Sequence, residues 1–286
     1  ETETITLEAP GFRTGYNFVG WYTAVTGGAK VETITKGSTG AEILYARWQA
    51  KQYQVSFNVD GGEAINPLTV TYNASFSLPE AVKDQYTFIK WLYEGNEFTE
   101  GTYQIAGNIS LTAVYEPWPV ISFDSNGGTA VTEIKQAIGS VLTEPAEPTR
   151  LGYTFDGWFE EVELVTEYSF TVMPASDKTL YAKWKLDTYT ISYNNLESTT
   201  HTNPLSYTYE SEKITLIAPT ARTGYTFVGW FSAEVAGTEV KEISSGSTGN
   251  RTIYARWQAI AYTITYEGLD GEENTNPATY TIEDET

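Results

Sequence analysis

The phrase Gly-Tyr-x-Phe-x-Gly-Trp stands at Gly15 to Trp21, Gly152 to Trp158 and Gly224 to Trp230, and a worn fourth copy runs from Gln85 to Trp91. Counted from Tyr16 to Tyr86, Tyr153 and Tyr225, the intervals are 70, 67 and 72 residues. A nearly fixed interval means one module written repeatedly, which overrides the one or two domains that 286 residues would otherwise suggest. A module of about 70 residues is longer than a solenoid repeat and close to the lower size of a self-sufficient domain. What recurs is glycine, aromatic and proline, the residues of folding. An active site would need an unrepeated cluster of reactive groups.

Each module reads as strands joined by turns. The opening strand alternates large side chains, as in Tyr53-Val55-Phe57, Ile121-Phe123, Tyr189-Ile191-Tyr193 and Tyr262-Ile264-Tyr266. Asp60-Gly61-Gly62, Asn126-Gly127-Gly128 and Asp270-Gly271 then supply the positive φ of a tight hairpin. Second strands are expected at Leu68 to Tyr72, Val131 to Gln136, Leu205 to Tyr209 and Ala278 to Ile282. A proline-bearing connection follows, such as Ile217-Ala218-Pro219, where proline disfavours a long helix. After the motif strand and a variable polar stretch comes a closing strand ending at Trp48, Trp184 or Trp257, with Leu180, Ala182 and Trp184 on one face. Within the motif strand, a bulge or close backbone approach at Gly229 would let Phe227 and Trp230 both enter the core.

The predicted organisation is 1–50 as the C-terminal part of a repeat, 51–117, 118–187 and 188–260 as repeats, and 261–286 as the opening hairpin of another. The fold class is mainly β, or α+β with little or no helix. The links are a few residues each, such as Gln49-Ala50-Lys51-Gln52 and Lys185-Leu186-Asp187-Thr188, and short links limit bending. Four such beads in line would extend on the order of 110 Å.

Seventeen basic against 37 acidic residues give a formal charge of -20, which repels nucleic acid and anionic lipid. With no cysteine, neither a disulfide framework nor a thiolate metal site can form. No stretch approaches a membrane span, and ETETITLEAP is not a signal peptide. The lone His201, in the polar turn before Pro204, has no counterpart in other copies and no nucleophile elbow, so a surface turn residue is expected. Carboxylate runs such as Glu160-Glu161-Val162-Glu163 fall where the copies differ. Asp124-Ser125-Asn126-Gly127-Gly128 lacks the remainder of a calcium loop, and a hairpin turn explains it. No cofactor, metal or catalytic residue is expected.

The motif, the variable loop and Thr179-Leu180-Tyr181-Ala182-Lys183-Trp184, on this spacing, resemble the Listeria-Bacteroides repeat, also called the internalin B-type B repeat. The resemblance covers essentially the whole chain. It is weakest in 51–117, where Asp84-Gln85 and Lys90 replace motif residues and Tyr115 stands in place of the final tryptophan. It implies small β-grasp-like domains repeated in the extracellular part of bacterial surface proteins, a stalk or adhesive role, and no enzyme activity. The structural motif residues are Tyr16, Phe18, Gly20, Trp21 and Trp48; Tyr86, Phe88 and Trp91; Tyr153, Phe155, Gly157, Trp158 and Trp184; and Tyr225, Phe227, Gly229, Trp230 and Trp257.

Outward Tyr45, Tyr181 and Tyr254, flanked by Arg47, Lys183 and Arg256, form a candidate contact set for a host protein or glycan, weak per unit and strengthened by multivalency. The opening ETETITLEAP aligns with ESEKITLIAP at Glu210 to Pro219, and the chain closes on an opening hairpin. This reads as a fragment of a longer array whose terminal half-repeats are expected to pair head to tail between molecules.

Overall fold

The computed structural model describes residues 3–284; the outermost parts of the terminal segments, Glu1, Thr2, Glu285 and Thr286, lie outside the described residues. The described residues form strands and turns with no helix. They divide into two compact units. One comprises the chain up to Val120 with Lys135–Val141 and Val172–Ser176, and the other Ile121–Ile134, Leu142–Thr171 and the chain from Asp177 onward.

In the first unit, one five-stranded sheet runs in the order Asn96–Phe98, Tyr86–Tyr93, Ile109–Pro117, Gln52–Asn58, Leu68–Thr71. The opening strand Gln52–Asn58 and the closing strand Ile109–Pro117 are parallel, with Val55 opposite Ile109 and Phe57 opposite Leu111. The motif strand Tyr86–Tyr93 is antiparallel to the closing strand. The central parallel pair carries the core: Val55 and Leu111 are both 0 % exposed, as expected for strands flanked on both sides. Residues of 1–50 form a smaller sheet of Lys30–Val31, Tyr16–Tyr22 and Tyr45–Ala50 and a ribbon of Ile5–Thr6 with Thr33–Ile34.

The second unit repeats this plan. Ser206–Thr208, Thr188–Asn194, Arg251–Ala259 and Tyr225–Phe231 form one sheet in that order, with Thr188–Asn194 parallel to Arg251–Ala259. The strand Val120–Asp124 pairs in parallel with Lys178–Leu186 from Ile121 opposite Lys178 to Asp124 opposite Tyr181, and Tyr153–Phe159 pairs antiparallel with the closing strand's other edge. At the C-terminal end Tyr262–Thr263 pairs with Thr279–Tyr280.

The opening hairpins differ from the expected tight form. Asp60, Gly61, Asn126, Gly127, Asp270 and Gly271 do hold positive φ. Yet the opening strand of 51–117 pairs with its second strand only from Gln52 opposite Thr71 to Val55 opposite Leu68, so the ladder stops well short of the turn. Beyond it the chain pairs instead with the closing strand, and Pro67, Pro204 and Pro277, which lack an N–H, stand just before the second strands. Those second strands are shorter than read: Leu68–Thr71, Ile134–Lys135, Ser206–Thr208 and Thr279–Tyr280. The third turn residue serves a different purpose from the first two. A Cβ at Gly128 would run into the Trp184 ring and one at Gly62 into the Val82 carbonyl and the Tyr115 hydroxyl, so glycine there makes room for the closing-strand aromatic and, in 51–117, for a neighbouring backbone too.

Candidate functional site

The recurrent motif builds one aromatic cluster per copy. In the four motif strands the register slips by a residue against the closing strand, between Phe18 and Gly20, between Phe88 and Lys90, between Phe155 and Trp158, and between Phe227 and Gly229. This bulge turns the Phe and the Trp onto one face although they are three residues apart. Phe227 then meets Trp230 at 5.4 Å and Trp257 at 5.3 Å; Phe155 meets Trp158 at 5.4 Å and Trp184 at 5.6 Å. Phe18 meets Trp21 at 5.6 Å and Trp48 at 5.4 Å, and Phe88 meets Trp91 at 5.3 Å and Tyr115 at 6.0 Å. Each such pair contributes about 0.5 to 1.5 kcal/mol beyond its area.

The indoles also fasten the connections. Trp21, Trp91 and Trp230 donate from Nε1 to the carbonyls of Glu8, Pro79 and Ile217, stitching the proline-bearing segment to the motif strand. Trp158 Nε1 is buried with no partner among the described residues. Closing-strand aromatics reach the opposite way: Trp184 and Trp257 donate to Ser125 and Asn195 carbonyls, and the Tyr115 hydroxyl donates to Val59. The copy at 51–117 therefore keeps the same fastening with a phenol in place of an indole. Its Lys90, at the glycine position of the bulge, pairs with Glu97 at 3.2 Å.

Basic residues just before each motif tyrosine complete the cluster. The guanidinium carbons of Arg13, Arg150 and Arg222 lie 4.1, 4.0 and 3.7 Å from the ring centroids of Tyr16, Tyr153 and Tyr225, and Lys83 Nζ lies 4.5 Å from that of Tyr86. These are cation–π contacts.

On the other sheet face, Tyr45, Tyr181 and Tyr254 are half-buried rather than fully outward. They stand cross-strand from Tyr22, Phe159 and Phe231. Arg47, Lys183 and Arg256 lie over those partner rings, at 3.9, 4.5 and 3.8 Å, and Arg47 and Arg256 donate to loop carbonyls at Ala24 and Ala233. The cations thus roof the motif strand's last aromatic, and the tyrosines share that packed face.

His201 differs from the expected surface turn residue. It is half-buried, with its ring 4.1 Å from Tyr193 and 6.0 Å from Trp230. Asn203 draws this segment inward, since its side chain accepts from the Ile217 amide at 2.8 Å and donates to the Ile217 carbonyl at 2.9 Å. Two further residues had no place in the sequence reading. Asn108 and Asn250, each seven residues before Tyr115 or Trp257, accept from the amides of Gln54 and Thr190 and so tie the start of the closing strand to the opening strand. The signal was the Gly-Asn pair at 107–108 and 249–250, each glycine carbonyl accepting a tyrosine hydroxyl, from Tyr103 and Tyr207.

The tyrosines carry the perturbed acidities. Burial pushes Tyr193 up to about 12, and burial also raises Tyr103, Tyr115 and Tyr168. The fold favours the neutral Tyr193 phenol, so its contribution is complete below the unfolded value near 10 and is lost as pH rises through about 12. Phenolate absorbance during alkaline titration should accordingly show a tyrosine of the folded copy at 188–260 ionising only as pH approaches about 12, with this late step missing from Tyr193→Phe. Ionisation near 10 in a folded protein would contradict the packing.

Hollows of about 380 and 390 Å³ occur at equivalent places in the fourth and first copies. The first is lined by Glu242, Ser244, Ser247 and Arg251 and the second by Thr33, Thr35, Ser38 and Glu42, so Arg251 is replaced by an acid and Glu242 by a threonine. They share hydroxyls but no charge at an equivalent position. Among the described residues no group of three or more His, Asp or Glu gathers to hold a metal ion, and no helix is long and apolar enough to cross a membrane.

The family profile of the Listeria-Bacteroides repeat domain matches residues 1–47, 53–114, 120–183 and 189–256. A protein of Evansella cellulosilytica named as a Gly-rich membrane protein is 30% identical over 285 aligned residues, covering 91% of this chain and 32% of the relative. A second membrane protein of that organism is 32% identical over 247 residues, covering 82% and 36%. Internalin H of Listeria monocytogenes is 31% identical over 206 residues, covering 68% and 36%. The chain spans about a third of the length of these relatives.

Proposed function

Because the chain belongs to the Listeria-Bacteroides repeat family, we propose that it is a non-enzymatic, extracellular repeat region of a bacterial cell-surface protein, acting as a semi-rigid spacer in an adhesin. The observation that carries this reading is where the recurrent residues are spent. Phe18, Phe88, Phe155 and Phe227 with their tryptophan or tyrosine partners fill cores, and the arginines and Lys83 brace the motif tyrosines. The hollows, by contrast, do not keep their charge from copy to copy. Repetition therefore preserves shape and not a reaction.

Each complete copy is, in this reading, a β-grasp without its helix. Numbering only the four strands of its main sheet in chain order, the copy at 188–260 runs second, first, fourth, third, with the first and fourth parallel. The proline-bearing connection crosses the sheet where a helix would otherwise lie, fastened by the Trp230 indole. Names of the relatives as membrane proteins and an internalin support a surface location. A multivalent glycan or host-protein surface built on Tyr45, Tyr181 and Tyr254 is the weaker reading, since those rings are half-buried.

Small-angle scattering of the chain is expected to give an extended particle with a maximum dimension on the order of 110 Å. A globular profile would refute the spacer.

A further inference from the structure

The motif's first glycine and tyrosine have a second use beyond their own core. Gly15, Gly152 and Gly224 hold φ of +76, +81 and +76°. A Cβ at Gly15 would collide with the ring of Tyr72, one at Gly152 with Tyr209 and one at Gly224 with Ile282. Each of these obstacles belongs to the following copy, at the end of its second strand. The turn there is the same in all three, with Ala74, Ser211 and Asp284 amides donating to the carbonyls of Thr71, Thr208 and Thr281.

Backbone hydrogen bonds carry the pairing of motif and closing strands up to the same boundary. The amides of Lys51, Asp187 and Ile260, which begin or lead into the following copy, donate to the carbonyls of Gly15, Gly152 and Gly224 at 2.9, 3.0 and 2.8 Å. Side chains close the contact. Tyr16 meets Tyr72 edge-on at 5.5 Å, Tyr153 meets Tyr209 at 6.3 Å, and Tyr153 donates from its hydroxyl to the Glu210 carboxylate. At the third junction Glu283 lies beside Tyr225. Arg13, Arg150 and Arg222 brace these tyrosines within their own copies.

We propose that the Arg-x-Gly-Tyr corner of a repeat is a docking surface whose partner is the second-strand end of the repeat that follows, presenting an aromatic or isoleucine and then a hydrogen-bonding residue. This contact, and not the short link alone, holds one repeat on the next. Three features make it selective for another repeat of this kind: a left-handed glycine that leaves room for the incoming side chain, a carbonyl that holds the backbone as it passes into the next repeat, and a phenol for the carboxylate. Acid follows the docking side chain at Glu210 and Glu283, and Asn73 takes that place after Tyr72. The worn copy keeps only part of the surface. Gln85 adopts φ 61° and its carbonyl accepts from Trp118 at 2.9 Å, but it carries a Cβ where the others have none. The third copy's matching turn, in which Ser140 donates to Ala137, puts Ile138 in the place of Tyr72, and Ile138 is 49 % exposed.

This inference deepens the spacer reading and takes its functional meaning from it. Its test is hydrogen exchange on the full chain, comparing wild type with Tyr209→Ala and Gly152→Ala. In Tyr209→Ala the Asp187 amide is expected to exchange about ten-fold faster, while the parallel ladders from Ile121 to Asp124 and from Ile191 to Asn194 keep their protection. Wild-type Trp118 should exchange faster than Asp187. Unchanged protection at Asp187 in Tyr209→Ala overturns the proposal, as does loss of both ladders together, which would make Tyr209 a core residue. If Gly152→Ala unfolds its own copy through backbone strain, Tyr209→Ala still decides. A compact scattering profile with a protected, Tyr209-dependent Asp187 amide would sink the spacer and leave the docking surface standing.

Discussion

Truncating Trp230 to alanine is expected to remove about 3 to 5 kcal/mol from the copy at 188–260. The side chain is 3 % exposed and packs on Tyr193 at 5.1 Å as well as on Phe227. It also loses the hydrogen bond from Nε1 to Ile217, the fastening of the proline-bearing connection. A domain of this size has a total stability of roughly 4 to 10 kcal/mol, so the loss takes a large part of it. Urea denaturation followed by exchange of the Ile191 and Ile253 ladder amides should show this copy unfolding while 51–117 stays folded. The two Trp→Phe variants separate ring from hydrogen bond. Trp158, 1 % exposed and with no Nε1 partner among the described residues, should tolerate phenylalanine better than Trp230 by about 0.5 to 1.5 kcal/mol, the net value of the bond. A shift below about 1 kcal/mol for Trp230→Ala would show that the cluster is loosely packed.

The aromatic cluster was legible because its residues recur at fixed offsets and because a glycine inside a strand pattern points to a bulge. Burial on the closing strand followed from simple alternation, which Leu180 and Ala182 obey at 0 % exposure. Three things escaped for physical reasons. Hairpin chemistry at Asn126-Gly127 does not report how far the ladder extends, and competition from the closing strand ends it early. His201 sits in polar sequence, yet Asn203, far from it in nothing but chemistry, pulls that segment onto Trp230 through two bonds to Ile217. The first glycine of the motif, at Gly15, Gly152 and Gly224, carried no assigned role in the sequence. Their obstacles, Tyr72, Tyr209 and Ile282, lie in the next copy, and no local pattern points there.

The same alternation makes a second large effect predictable on one strand. Leu180→Ala should cost about 2 to 5 kcal/mol and fall in the upper part of that range. Leu180 is 0 % exposed and stands opposite Phe123 in the parallel pair, while the residues beside it, Tyr181 and Ala182, pair with Phe159 and Trp158 across the other edge. With ladders on both sides the backbone cannot close over the void, so the cavity remains and its cost with it. Its neighbour Tyr181 faces the other way, half-buried beside a ring roofed by Lys183. Tyr181→Ala should therefore cost only about 1 kcal/mol, the scale of a partly exposed cross-strand pair. Equal midpoint shifts in urea for the two variants would mean that the closing strand does not divide its faces between core and surface. A large difference would place the stability of each copy in the parallel pair, and leave the outer face free to vary as a long repeat array requires.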